Sequence, residues 1–131
     1  MSVRAPRASG TDVTVARDLI DRHYTRELTI AYLAKKSGLS PFHFIRAFRK
    51  QFGATPHQYL RSKRIERAKE LLITTPLAVT EICDRIGFQS LGSFSSLFRR
   101  LTGETPAGYR AERRKDVYIP ACFVRMYRAD R

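Results

Sequence analysis

Apolar residues recur along this chain at helical spacing, and the same arrangement occurs twice. Ile30, Leu33 and Ala34 fall at i, i+3 and i+4 behind Thr29, a good helix N-cap, so the spacing predicts a short helix from about Ile30 to Ser37. Gly38 is expected to end that helix, since glycine can take the left-handed conformation that closes one. Ser40-Pro41 then starts another at once, serine as the cap and proline in the first helical position. The second helix sets Phe44, Ala47, Phe48 and Gln51 on one face, the expected core side, and Phe42, Arg46 and Arg49 on the opposite one. Further on, Val79, Ile82 and Cys83 are followed by Gly87, a Ser90 cap and an expected core face of Phe94, Leu97, Phe98 and Leu101.

These are copies of one plan. Thr29 to Gly38 aligns with Ala78 to Gly87, 49 positions on. Ala47-Phe48-Arg49-Lys50, Gly53, Thr55-Pro56 and Tyr59 align with Leu97-Phe98-Arg99-Arg100, Gly103, Thr105-Pro106 and Tyr109, 50 positions on. The second copy therefore carries one extra residue between its halves. Small residues four positions before each turn glycine, Ala34 and Cys83, let two helices approach closely, as a helix-turn-helix requires.

Between the copies, Thr55-Pro56 can open a helix running through Tyr59, Leu60, Ile65, Ala68, Leu71 and Leu72 until Thr74-Thr75-Pro76 stops it. About 18 residues at 1.5 Å each give roughly 27 Å, enough to hold two units at a set separation. An opening helix capped by Asp12 should bury Ala16, Leu19, Ile20 and Tyr24, and Pro106 should start a last helix through Tyr109 and Arg113. The expected fold is all-α, with about seven helices in two tandem helix-turn-helix subdomains. The expected boundaries are a flexible start (1–11), a first subdomain (12–55), a linker helix (56–75), a second subdomain (76–114) and a C-terminal tail (115–131).

Length and charge narrow the function. With 131 residues there is room for one ordinary domain or two very small ones, and none for a large catalytic domain. Lys and Arg number 25 against 12 Asp and Glu, a formal charge of +13, which suits a polyanionic partner. Cys83 and Cys122 have no His or Cys neighbour at metal-ligand spacing, so no metal is expected and a reduced, cytoplasmic setting is the simpler reading. No stretch approaches the roughly 18 apolar residues of a membrane span, and residues 1–10 do not read as a secretion signal. No nucleophile, carboxylate pair or phosphate-cradling glycine loop stands out, so neither catalysis nor a cofactor is expected.

Ile86-Gly87-Phe88-Gln89-Ser90, Phe94-Ser95-Ser96-Leu97-Phe98-Arg99-Arg100, Gly103, Thr105-Pro106 and Tyr109-Arg110 together resemble the signature of the AraC/XylS family of bacterial transcription regulators. The likeness covers about residues 12 to 113. It implies a regulator of stand-alone form, or a fragment of a longer one, that inserts two recognition helices into successive major-groove segments of double-stranded DNA. Carried over by position, it makes Phe42, His43, Ile45 and Arg46 DNA-facing in the first unit, and Leu91, Gly92, Ser95 and Ser96 in the second. Ser93 takes the place of His43. Arginine can donate two hydrogen bonds to guanine, which gives Arg46 the strongest case for base reading. Arg49, Lys50, Arg99, Arg100, Arg61 and Arg64 are phosphate clamps or solvated surface.

The resemblance also admits RNA polymerase as a partner. Some bacterial relatives fuse this module to a cysteine-dependent DNA-repair domain, whose cysteines are absent here. The competing class is a basic module for RNA or protein without base readout. The apolar stretch Val117 to Tyr127 is expected to pack back on the second subdomain, with a dimer contact as the rival, and Pro120 argues against a central strand there.

Overall fold

The computed structural model describes residues 12–114, so the expectations for the N-terminal residues and for the tail lie outside the described residues. Within them the chain is all-helical: α1 Val13–His23, α2 Ile30–Ser37, α3 Pro41–Phe52, α4 Pro56–Thr74, α5 Val79–Arg85, α6 Leu91–Thr102 and α7 Pro106–Arg113. The chain clusters into two compact units, Met1–Lys63 and Arg64–Arg131, and the boundary falls inside α4.

Most helix starts are chemically marked. The Asp12 carboxylate accepts from the Thr14 amide, and the Thr29, Ser40 and Ser90 hydroxyls accept from the Tyr32, His43 and Ser93 amides. At α4 the capping is reciprocal: the Gln58 amide donates to Thr55 Oγ1, and the Thr55 amide to Gln58 Oε1. Ala78, before α5, offers no side-chain cap.

Each helix-turn-helix is closed by a glycine at positive φ, Gly38 at 75° and Gly87 at 94°. The residue after the glycine turns its amide back onto the small residue of the preceding helix. Leu39 N–H reaches Ala34 O at 3.0 Å, and Phe88 N–H reaches Cys83 O at 3.1 Å. The extra residue of the second copy is Gln89, an exposed position between Phe88 and the Ser90 cap. Cys83 is buried, and that burial, with Asp84 beside it, pushes its thiol pKa up, while its Sγ–H donates to Phe88 O at 3.9 Å across the turn.

Unit 1 closes around Val13, Ala16, Ile20, Leu33, Ala34, Phe44, Phe48 and Leu60. Unit 2 closes around Ile65, Ala68, Leu72, Leu77, Ile82, Cys83, Ile86, Phe94, Leu97 and Phe98. Helix α4 therefore supplies core to both, Leu60 to the first and Ile65, Ala68 and Leu72 to the second. The repeat extends further upstream than the turn motifs indicate. Val13, Ala16, Leu19 and Ile20 of α1 match Ile65, Ala68, Leu71 and Leu72 of α4, so the end of α4 is to unit 2 what α1 is to unit 1. The aromatic packing repeats as well, with Phe44 to Phe48 at 5.8 Å and Phe48 to Tyr59 at 5.7 Å against Phe94 to Phe98 at 5.7 Å and Phe98 to Tyr109 at 5.3 Å.

Two residues expected on core faces are exposed. Gln51 is exposed, and Leu101, its counterpart, is 51% exposed. Both lie in the last turn, on the far flank of an arc centred on Phe44/Phe48 and Phe94/Phe98. On the other flank the last turn of α3 is filled by Phe52, 4.6 Å from Phe48. At the equivalent place in α6, Thr102 folds its hydroxyl back onto Phe98 O.

Where unit 2 buries Ile86, unit 1 buries Ser37, fully enclosed and with no hydrogen-bond partner for its hydroxyl among the described residues. An unpaired buried hydroxyl is destabilising by about 1–3 kcal/mol. Ser37→Ala should therefore raise the urea midpoint of unit 1, by about 1 kcal/mol of stability at constant m-value. A lower midpoint would mean that the hydroxyl is bonded after all.

Candidate nucleic-acid interface

The second helix of each motif, α3 or α6, has one buried and one exposed side. On α3, Phe44 and Phe48 hold the buried side while Phe42, His43, Arg46, Arg49 and Lys50 are exposed. Phe42 is 71% exposed, an unusual position for a phenylalanine, and the Arg46 guanidinium carbon stands 5.7 Å from its ring centroid. That arrangement is a cation–π pair on the helix surface. Ile45 is half-buried and packs against the unit 1 core, so it presents only an edge.

On α6, Phe94, Leu97 and Phe98 hold the core, and Gly92, Ser93, Ser96, Arg99 and Arg100 are exposed. Leu91 is 43% exposed and Ser95 half-buried. Register by register, Phe42, His43, Ile45 and Arg46 give way to Gly92, Ser93, Ser95 and Ser96. The basic last turn is repeated, Arg49-Lys50 and Arg99-Arg100. Thus the two motifs share the cations of their last turns and differ in the exposed residues of their first two turns.

Neither α3 nor α6 contains an acidic residue, and Arg46, Arg49, Lys50, Arg99 and Arg100 make no ion pair among the described residues. Several cations elsewhere are engaged. On α4, Arg67 pairs with Glu70 and Lys69 with Glu66, Lys63 meets Asp21 at 3.4 Å, and Arg113 holds Glu104 at 2.8 Å. Arg64, considered above as a phosphate clamp, lies with its guanidinium over the Phe88 ring at 5.7 Å, and Arg61 is half-buried.

One role of an arginine escapes sequence reasoning. Arg110 donates from Nε to Leu72 O and from Nη2 to Thr75 O, both at 3.0 Å, and Arg114 also donates to Thr75 O. These guanidinia satisfy carbonyls left open where α4 ends. Burial, reinforced by the neighbouring Arg114 charge, pulls the Arg110 pKa below its ordinary value. The Tyr-Arg pair after Thr105-Pro106 marks the position without revealing its partner. Lys35 and Lys36 on α2 are exposed cations also missed, Lys36 Nζ standing 5.6 Å from the Tyr32 ring.

Among the described residues no three His, Cys, Asp or Glu side chains gather as a metal site, and no helix is long and apolar enough to cross a membrane.

The helix-turn-helix domain family matches residues 33–112. The chain is 36% identical over 98 residues to the bifunctional transcriptional activator/DNA repair enzyme AdaA of Bacillus subtilis, covering 75% of this chain and 46% of that protein. It is 35% identical over 91 residues to the probable transcriptional regulator LumQ of Photobacterium leiognathi, covering 70% of this chain and 37% of the relative. The chain thus spans less than half the length of these relatives. Among solved structures, the DNA-binding domain of AdpA, a global transcriptional factor in complex with a target DNA, superposes with a TM-score of 0.76 at 31% identity, over 80% of this chain and 95% of that one. With a match spanning both motifs and the same seven-helix fold, this chain belongs to the AraC-type helix-turn-helix family of transcription regulators.

Proposed function

We propose that this chain binds double-stranded DNA sequence-specifically in the cytoplasm and regulates transcription by binding, without catalysis. The observation that carries this reading is the repeated helix face: α3 and α6 each begin at a serine cap, carry no acid and hold in the last turn two basic residues that make no ion pair among the described residues. Each helix enters a major-groove segment, and a monomer covers two successive segments with its two motifs. Arg49, Lys50, Arg99 and Arg100 contact phosphates, while Phe42, His43, Arg46 and the edge of Ile45 meet bases. In the second motif Leu91, Gly92, Ser93, Ser95 and Ser96 line the contact. RNA polymerase bound beside the site is the partner through which occupancy becomes regulation. The kinship with AdaA and AdpA supports duplex DNA as the ligand class.

The two motifs are unequal readers. Arg46 can bond guanine O6 and N7 together, and such a pair discriminates bases by about 1–3 kcal/mol. Ser96, at the same register, reaches little. With duplexes selected from a random pool, Arg46→Ala should weaken the preferred site by about 5- to 150-fold and relax base preference at one or two positions. Ser96→Ala should alter either by far less, both variants being assayed at one salt concentration. Equal loss from the two substitutions would defeat the asymmetry, with serine reading through bridging water. If single strands or RNA compete as well as the selected duplex, the chain is a general basic module instead.

A further inference from the structure

Gly92 occupies the exposed first turn of α6 in ordinary helical conformation, and a β-carbon built there meets nothing within 4 Å among the described residues. Glycine in a helix forgoes stability that alanine would provide, because it has more backbone entropy to lose. The other glycines among the described residues have internal reasons. Gly38, Gly53, Gly87 and Gly103 have positive φ, and a β-carbon on Gly108 would crowd Thr105 Oγ1 at 3.1 Å. Gly92 has neither reason, so nothing within the described residues accounts for its missing side chain.

The neighbouring residues indicate where the reason lies. Leu91, Ser93 and Ser96 are exposed on the same helix, Arg99 and Arg100 follow it, and the equivalent position in the first motif holds Phe42, the most protruding apolar side chain described. A bare backbone on an exposed face permits close approach by a partner.

We infer that Gly92 is a close-approach contact: on the bound duplex the first turn of α6 lies against the major-groove surface, with DNA atoms where a β-carbon would stand. This rests on the duplex-binding reading above and deepens it. Unit 2 docks backbone-first through Gly92, while unit 1 docks through the projecting Phe42 and Arg46 side chains. Gly92 thus sets how closely the second motif can dock, while base discrimination stays with the long side chains of the first.

The test relies on opposite signs in one variant. Gly92→Ala adds a methyl group into open space in the free protein, so its melting temperature should stay level or rise by about 1–3 °C. The same methyl group should lower affinity for the selected duplex about tenfold, in line with overpacking a close contact, and Gly92→Leu should lower it further. Gly92→Ala binding as well as the parent, or better, would overturn the inference while leaving duplex binding intact. A parent chain that fails to retain duplex at low salt would instead overturn the reading beneath it. A loss of affinity accompanied by a lower melting temperature would count against the inference too, since glycine would then serve the fold.

Discussion

Raising salt from 50 to 200 mM should weaken duplex binding by about 10³- to 10⁵-fold, the loss for six to ten phosphate contacts. Each neutralised phosphate releases condensed counterions, so the logarithm of affinity falls by about 0.9 per contact for each decade of salt. The formal charge of +13 does not by itself set that number. Arg110 and Arg114 are spent on the carbonyls ending α4, and Lys63, Arg67, Lys69, Arg85 and Arg113 face carboxylates. On the recognition helices Arg49, Lys50, Arg99 and Arg100 stay exposed beside Arg46, which is assigned to bases, and exposed Lys35 and Lys36 of α2 and half-buried Arg61 of α4 add to them. These reach the lower part of the range. A fluorescence-anisotropy titration across four salt concentrations reads the slope. Replacing Arg99 and Arg100 together should reduce it by about two, because each supplies about one contact. A slope near zero would remove nucleic acid as the partner.

The fold was legible because each local signal was chemically complete. Ser40-Pro41 and Thr105-Pro106 mark helix starts, Gly38 and Gly87 mark turns, and the Phe44/Phe48 and Phe94/Phe98 pairs mark the faces to bury. Gln51 and Leu101 were misread because a hydrophobic arc indicates a direction without saying where the neighbouring elements end. The match of α1 to the end of α4 was missed because it consists only of Val, Ile, Leu and Ala, without a glycine or proline to fix its register. Arg110 was unreadable for another reason, since its partners are backbone carbonyls 35 and 38 positions away that sequence does not encode. For the site, sequence supplied the exposed faces of α3 and α6. It set Phe42 and Arg46 at i and i+4 on one face without showing that ring and guanidinium stack, and gave no sign of the open space at Gly92, because both depend on rotamers and on neighbours in three dimensions.

The largest effect on stability should come from Phe98→Ala. The ring is fully buried, packs edge-on against Phe94 at 5.7 Å and Tyr109 at 5.3 Å, and so ties α6 to α7 inside unit 2. Truncating a buried phenylalanine destabilises by about 3–5 kcal/mol, combining lost transfer energy with a cavity that surrounding side chains fill only partly. Against the 5–15 kcal/mol typical of a whole domain, a unit this small has little reserve. The two cores share no residue, so the loss should fall unevenly. Amide hydrogen exchange should show α5, α6 and α7 losing protection, while α1, α2 and α3 keep most of theirs. Phe48→Ala should reverse the pattern. Equal loss everywhere would mean that the units unfold together, with α4 transmitting the damage through the residues it gives to both cores. Uneven loss has a functional consequence: Phe98→Ala would leave the α3 face competent and cancel the α6 contacts, reducing binding to what one motif and its own phosphate contacts sustain.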